Sequence, residues 1–401
     1  MARRIGTRTL ALHGGAGPAK PGDPVSPLIV TATSFHTEPD AIGFSANDLA
    51  GTPPPFYTRW GNPTVQLLED RLTALEGGAG TVAFGSGMAA ISALFLSRLS
   101  AGDHLVLSNV CYAGVAELAQ DILPRFGITA TLVDTSNTDA VAAAIRPGVT
   151  RLVHIETPAN PILRLSDIAA IADIAHGAGV ALSVDSTIAT PIATQPLSLG
   201  ADYVVHSLTK YICGHGDALG GSVTVRDADQ LAPLRSGALI HHGGALSPFA
   251  AWLLLRGLET LPGRMSLHEA NARILAHFLS QHRSVKSVLW PGLDSHPQAE
   301  LTARQMRNAS GLLSFTVQGD SKALADRLAR DLKVIAYAVS LGKTKSLLFY
   351  IPTEDILRSS FRLEGEAAAS YRAIAGSGVF RFSVGLEDQD DLIDDLARCL
   401  D

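Results

Sequence analysis

Cysteine is scarce: Cys111, Cys213 and Cys399 are the only three in 401 residues, odd in number and far apart. That excludes a disulfide framework and gives no pair with metal-ligand spacing, and free thiols point to a reducing compartment. Charge is thin as well, 17% of residues with a net of −6, and there is no basic run or basic-aromatic stripe. A nucleic-acid partner is therefore not expected. Long apolar runs are missing too. The most apolar windows, such as Trp252-Leu253-Leu254-Leu255, fall far short of a bilayer span. The basic start, Met1-Ala2-Arg3-Arg4, is not followed by the apolar stretch of a secretory signal. His241-His242 has no companion ligands, so no metal site is expected. A cytoplasmic protein without membrane association is the expectation. What is present is a 46% hydrophobic chain, long enough for one large domain and a smaller one.

Residues 1–62 are rich in Gly, Pro and Thr with little periodicity and read as an extended arm. From Thr64 the pattern changes. Val65, Leu68, Leu72 and Leu75 recur at helical spacing over 64–76, and Gly77-Gly78 supplies the stop. Short apolar strands are then expected at 81–84, 104–108, 151–156, 180–185 and 203–206. They alternate with helices at 87–99, 113–123, 166–176 and 197–200. Apolar strands separated by helices imply an α/β fold with a mostly parallel sheet covered on both faces. A long helix over 248–278 leads to a smaller C-terminal α+β domain, with strands at 312–317 and 380–384 and helices at 321–332 and 388–400. The expected division is 1–62, 63–256 and 257–401.

Ligands of such sheets bind beyond the carboxyl ends of the strands. Asp185 and Glu156 each end a strand, and Gly85-Ser86-Gly87-Met88 follows another and opens a helix, where backbone N–H groups face an anion. Lys210 lies 25 positions after Asp185, within Ser207-Leu208-Thr209-Lys210-Tyr211. A lysine for a Schiff base, a carboxylate to keep a pyridine nitrogen protonated and hydroxyls for a phosphate are what a pyridoxal phosphate site requires. Tyr112, after a strand end, offers a flat face for the cofactor ring. Arg59, in Tyr57-Thr58-Arg59, offers a bidentate phosphate contact. Arg381 lies in an apolar strand, where a buried cation needs a partner: a substrate α-carboxylate or a structural one.

Several stretches closely resemble the cystathionine γ-synthase/γ-lyase (Cys/Met metabolism) family of pyridoxal phosphate enzymes. They are Tyr57-Thr58-Arg59-Trp60-Gly61-Asn62-Pro63-Thr64, Glu156-Thr157-Pro158-Ala159-Asn160-Pro161, Asp185-Ser186-Thr187-Ile188-Ala189-Thr190-Pro191, Ser207-Leu208-Thr209-Lys210-Tyr211 and Ser383-Val384-Gly385-Leu386-Glu387-Asp388. The resemblance implies the aspartate aminotransferase-like fold type I and a tetramer of two active dimers. It implies that Lys210 is the Schiff-base lysine and proton shuttle, that Asp185 pairs with the ring nitrogen and that Tyr112 stacks on the ring. Gly87, Met88, Ser207 and Thr209 would bind phosphate, joined by Tyr57 and Arg59 from the neighbouring subunit. Asn160, Ser340 and Arg381 would hold the substrate carboxylate, Asn160 also lying near the ring hydroxyl.

Departures from the pattern narrow the substrate. Val339 stands where family members acting on cystathionine resemble one another in having glutamate, and Glu117 stands where cystathionine γ-lyases carry arginine. Val339 is more like methionine γ-lyases, yet Gly114 replaces their cysteine. The segment 350–378 departs most. The expectation is a γ-lyase acting on a methionine- or homocysteine-like amino acid, or on a cationic analogue such as canavanine, with Glu117 either in the pocket or a solvated helix residue. The alternative is γ-replacement, as in the synthases and sulfhydrylases, which shares every residue named. A non-catalytic protein would have no use for Lys210, Asp185, Tyr112 and Arg381 together.

Overall fold

The computed structural model describes residues 5–15, 17–18, 20–38 and 55–401. Its larger sheet has seven strands: β1 (Gly80–Phe84), β2 (His104–Ser108), β3 (Thr129–Val133), β4 (Thr150–Glu156), β5 (Ala181–Asp185), β6 (Tyr203–Ser207) and β7 (Gly221–Val225). Their order is β1-β7-β6-β5-β4-β2-β3. β6, β5, β4, β2 and β3 are parallel neighbours, whereas β7 is antiparallel to both β6 and β1. The strands are apolar on both sides because both sides are covered. Val153, Ile155, Leu182 and Val184 pack with Ile168, Ile171 and Ala175 of the Ile168–Gly177 helix. On the other face Leu105, Leu107, Tyr203, Val205 and Val223 pack with Ile91, Leu94 and Phe95 of the Gly87–Arg98 helix.

The topology gathers the carboxyl ends at one edge. Glu156 and Asp185 are register partners across β4 and β5. Ser207 pairs with Gly221, which in turn pairs with Phe84, so the turn after β1 lies in line with the end of β6.

A 34-residue helix, Pro248–Gln281, joins this sheet to the smaller one. It also braces the loop after Lys210. Arg264 Nη1 donates to Tyr211 O at 2.7 Å and Nη2 to Gly257 O at 2.7 Å and Ile212 O at 3.3 Å. Gly257 permits the approach, since a Cβ there would stand 2.3 Å from Ile212 O. The small sheet has five strands, β8 (Val285–Leu289), β9 (Leu312–Val317), β10 (Ala336–Tyr337), β11 (Leu347–Pro352) and β12 (Gly378–Ser383), in the order β10-β11-β12-β9-β8. Among the described residues no helix is long and apolar enough to cross a membrane.

Several expectations need correction. The N-terminal segment contains a helix, Thr7–His13, packed on the Pro63–Glu76 and Pro248–Gln281 helices; residues 39–54 of the expected arm lie outside the described residues. Strands β3, β7, β8, β10 and β11 were not expected. The helix expected at 113–123 is α-helical only over Ala113–Glu117, widens to a π turn over Leu118–Ile122 and tightens to a 3-10 turn over Leu123–Phe126. Pro124 lacks the N–H that would continue it. The helix expected from 166 begins at Ile168, because the Asp167 side chain caps it by accepting from Ala170 N. The stretch expected as a helix at 197–200 is a 3-10 turn, Pro196–Leu199.

Candidate active site

The gathered strand ends line a cavity of about 200 Å³. Its walls include Ser86, Gly87 and Met88 from the β1 turn, Tyr112 after β2, Glu156 and Asn160 after β4, Asp185 and Thr187 after β5, and Ser207, Thr209 and Lys210 after β6. Ile91, Ile188, Leu219 and Leu341 make the rest apolar. Lys210 Nζ donates to Ser340 Oγ at 3.3 Å. Arg381, on β12, donates from Nη1 to Asn160 Oδ1 at 3.2 Å and from Nη2 to Ser340 O at 3.2 Å. Ser340 holds φ +87°, a left-handed conformation that costs a non-glycine residue about 1–3 kcal/mol. The next turn of chain is pinned: Gly342 N donates to Ser383 Oγ at 2.8 Å, and a Cβ on Gly342 would stand 2.6 Å from Tyr211 N.

The carboxylates sit in a low-dielectric edge. Burial raises the Asp185 pKa; hydrogen bonds from Thr187 and the charges of His206 and Lys210 work against that rise. Its Oδ1 accepts from Thr187 N at 2.9 Å. Burial, and then the neighbouring Asp185, push Glu156 up to about 8. Its two oxygens accept from Tyr112 N at 2.6 Å and Asn160 N at 2.8 Å. Lys210 moves the other way: burial first, then the cations Arg381 and Lys343, lower its pKa, and Asp185 only partly restores it.

These residues fit pyridoxal phosphate. The carboxyl of Asp185 is buried yet borders the cavity, so a protonated ring nitrogen would relieve the penalty of its burial. At the other end, Ser86 Oγ caps the Gly87–Arg98 helix by accepting from Ala89 N at 3.1 Å. The first-turn N–H groups of Gly87 and Met88 then have no intrahelical acceptor and can serve a phosphate. Gly87 is required there, since a Cβ would stand 2.8 Å from Ser207 Cβ.

Sequence reasoning named Lys210, Asp185, Tyr112, Asn160, Gly87, Met88, Ser207 and Thr209, and all eight line this one cavity, with Ser340 and Arg381 hydrogen-bonded to two of them. Glu117 does not line it. Its carboxylate accepts from Ser360 Oγ at 2.7 Å, so the expected pocket contact is replaced by a contact with the divergent 350–378 segment. Tyr57 and Arg59 do not line this cavity either. Arg59 Nη1 donates to Ile240 O at 2.9 Å, and its guanidinium lies 5.5 Å from the Tyr57 ring. Gly114 sits beside the Tyr112 ring: a Cβ would stand 3.0 Å from that ring and 3.3 Å from Met88 Sδ. Thr187, whose Oγ1 accepts from Ser207 N at 2.8 Å, was missed, as was any role for Glu156. Glu156 carried the same signal as Asp185, a carboxylate ending an apolar strand.

The chain is similar to known proteins along almost its whole length. The family model described as "Cys/Met metabolism PLP-dependent enzyme" matches residues 8–401. A canavanine γ-lyase of Pseudomonas canavaninivorans is 39% identical over 99% of this chain and 96% of that protein. An O-succinylhomoserine sulfhydrylase of Pseudomonas aeruginosa is 41% identical over 98% and 94%. The crystal structure of metB from Corynebacterium glutamicum superposes with a TM-score of 0.87 at 37% identity, covering 99% of this chain and 98% of that one. The chain belongs to the Cys/Met metabolism family of pyridoxal phosphate-dependent enzymes, and pyridoxal phosphate is its cofactor.

Proposed function

We propose that the protein is a γ-lyase: it eliminates a γ-substituent from an amino acid, releasing a 2-oxo acid, ammonia and the leaving group. Bound pyridoxal phosphate supplies the electron sink that makes carbanion chemistry at the substrate accessible. The observation that carries the reading is that Lys210 is the one lysine lining the cavity among the described residues, so a single amine serves both Cα and Cβ. Its lowered pKa makes the free amine more available as a base, and the Ser340 hydroxyl hydrogen-bonds it within the cavity. Arg381, oriented by Asn160 Oδ1, receives the α-carboxylate. Asp185 would face the ring nitrogen, whose positive charge favours the ionised carboxylate that burial alone disfavours.

The distal group is neutral or cationic on this reading. Val339, 63% exposed beside Ser340, brings no charge, and no cation from position 117 reaches the cavity. Similarity to the canavanine γ-lyase supports elimination. The 41% identity to the sulfhydrylase supports a second reading, γ-replacement by a thiol. We further propose a cytoplasmic homotetramer of two active dimers. Residues 1–62 form an arm whose Tyr57 and Arg59 bind the neighbouring subunit's phosphate, 63–256 the cofactor domain and 257–401 the substrate-closing domain.

The test is turnover of methionine, homocysteine, canavanine, cystathionine and O-acetylhomoserine without thiol, assayed as 2-oxo acid and ammonia. Elimination from one of the first three, lost by about 10²–10⁴-fold in Lys210→Ala, is expected. Turnover of cystathionine or O-acetylhomoserine alone would overturn the distal-group assignment.

A further inference from the structure

Glu156 brings a second carboxyl group into the buried edge of the site, beside Asp185, yet nothing in the proposed chemistry uses it. It is 6% exposed, and what exposure it has faces the cavity. It stands in register with Asp185 on the adjacent strand, the worst place for a second carboxylate on Coulombic grounds. Backbone N–H groups needing acceptors could be served by a neutral side chain without that cost. A carboxyl group differs from a side-chain amide in presenting two oxygens, each able to accept a backbone N–H. Here each oxygen takes one N–H: Oε2 that of Tyr112, Oε1 that of Asn160. These two residues are 48 positions apart in the sequence. The end of β4 is itself fixed, Glu156 N donating to Ser108 Oγ at 3.3 Å.

We propose that Glu156 is a positioning residue that ties the Tyr112 turn to the Asn160 turn, and so sets the gap between the aromatic face over the cofactor and the Asn160–Arg381 pair that receives the substrate. The inference rests on the family's cofactor chemistry, not on elimination being preferred over replacement. Two substitutions separate reach from charge. Glu156→Gln keeps the reach but turns an N–H₂ donor toward one of the two N–H groups, releasing one turn. Glu156→Asp keeps both acceptor oxygens and the titratable carboxyl but loses one methylene, about 1.5 Å, and cannot span both turns.

Each purified holoenzyme is to be measured for pyridoxal phosphate dissociation on dialysis, for the visible circular dichroism of the bound cofactor, and for kcat and KM. Both variants should lose cofactor at least several-fold faster, show altered visible dichroism and raise KM for the amino acid about tenfold or more. Far-ultraviolet dichroism confirms folding. A Glu156→Asp enzyme that matches the wild type in all three readouts would overturn the proposal, since a carboxyl of shorter reach would then suffice. Lowered thermal stability in both variants, with cofactor retention and KM within twofold, would overturn it in favour of packing alone. The dialysis and dichroism readouts stand whichever reaction the enzyme prefers.

Discussion

At the scale of single residues, the site is governed by how the sheet edge treats charge. Lys210 is surrounded by two cations, Arg381 and Lys343, and by apolar walls, with Asp185 opposing them. Removing one cation has a definite sign. In Lys343→Gln the ammonium form of Lys210 is penalised less, its pKa rises, and the free amine appears only at higher pH. The acidic limb of the kcat–pH profile should therefore move upward; a limb that stays or falls contradicts the assignment of Lys210 as the base. Most of these residues were legible in the sequence because each stands at a strand end or just beyond one, where the carboxyl edge of a parallel sheet places ligands. Thr187 was not, and Glu156 was visible only as a strand-end carboxyl without a role. What the two do lies in hydrogen bonds to backbone groups 20 and 44 positions away, which no local pattern encodes.

At the scale of elements, two segments far apart in sequence shape one another. The Ala113–Glu117 helix that follows Tyr112 packs against the π turn Leu357–Phe361, and the π turn Leu118–Ile122 is hydrogen-bonded to the same segment. Leu357 and Phe361 join Val115, Ala116 and Ala119 in the large core. Gln120 Nε2 donates to Ser360 O at 3.0 Å, and Arg362 forms a two-pronged pair with Asp121 at 2.6 and 2.8 Å. The widened turn at 118–122 could not be foreseen, because the residues that meet it lie about 240 positions on. The divergent 350–378 segment thus borders the Tyr112 helix rather than the cavity. Glu117→Arg should change the ratio of kcat/KM between cationic and neutral substrates by less than twofold, and a selective loss for cations would return Glu117 to the pocket. Ser360→Ala, at a site 7% exposed, should cost about 0.5–1.5 kcal/mol in denaturant unfolding. Gly87→Ala, by contrast, drives a methyl against Ser207 and should weaken cofactor retention markedly while leaving the fold intact.

At the scale of the molecule, stability and assembly both carry signatures of the site. His154 and His268, buried and held neutral near 3 and 4, contribute stability above their unfolded pKa that is lost as the pH falls through those values. Glu156 has the opposite sign. Its folded pKa is raised, so its contribution is complete below about 4.5 and is lost as the pH rises through about 8. Between pH 6.5 and 8 the histidine contributions are complete, and the apoprotein should lose stability with a slope that Glu156→Gln reduces. An unchanged slope would show that Glu156 titrates normally. The arm makes an equally definite prediction. Mixed Arg59→Ala and Lys210→Ala subunits, each inactive alone, should regain about a quarter of wild-type activity, since half of randomly formed dimers hold one intact site. No recovery would place Arg59 in service of its own subunit. The layered fold and its small C-terminal sheet were legible from apolar strands alternating with helices. The edge strand β3 and the interior antiparallel strand β7 were not, because five-residue segments carrying Thr and Ser have too little apolar periodicity to separate from loops.

The central claim is elimination. The measurement that tests it most directly is the product partition of the purified enzyme on its best γ-substituted substrate, as a thiol is titrated in. The account predicts that 2-oxo acid and ammonia form at full rate without thiol and remain the main products as thiol rises. If turnover requires the thiol, and the replacement product takes its place, the protein is a synthase and the account is wrong.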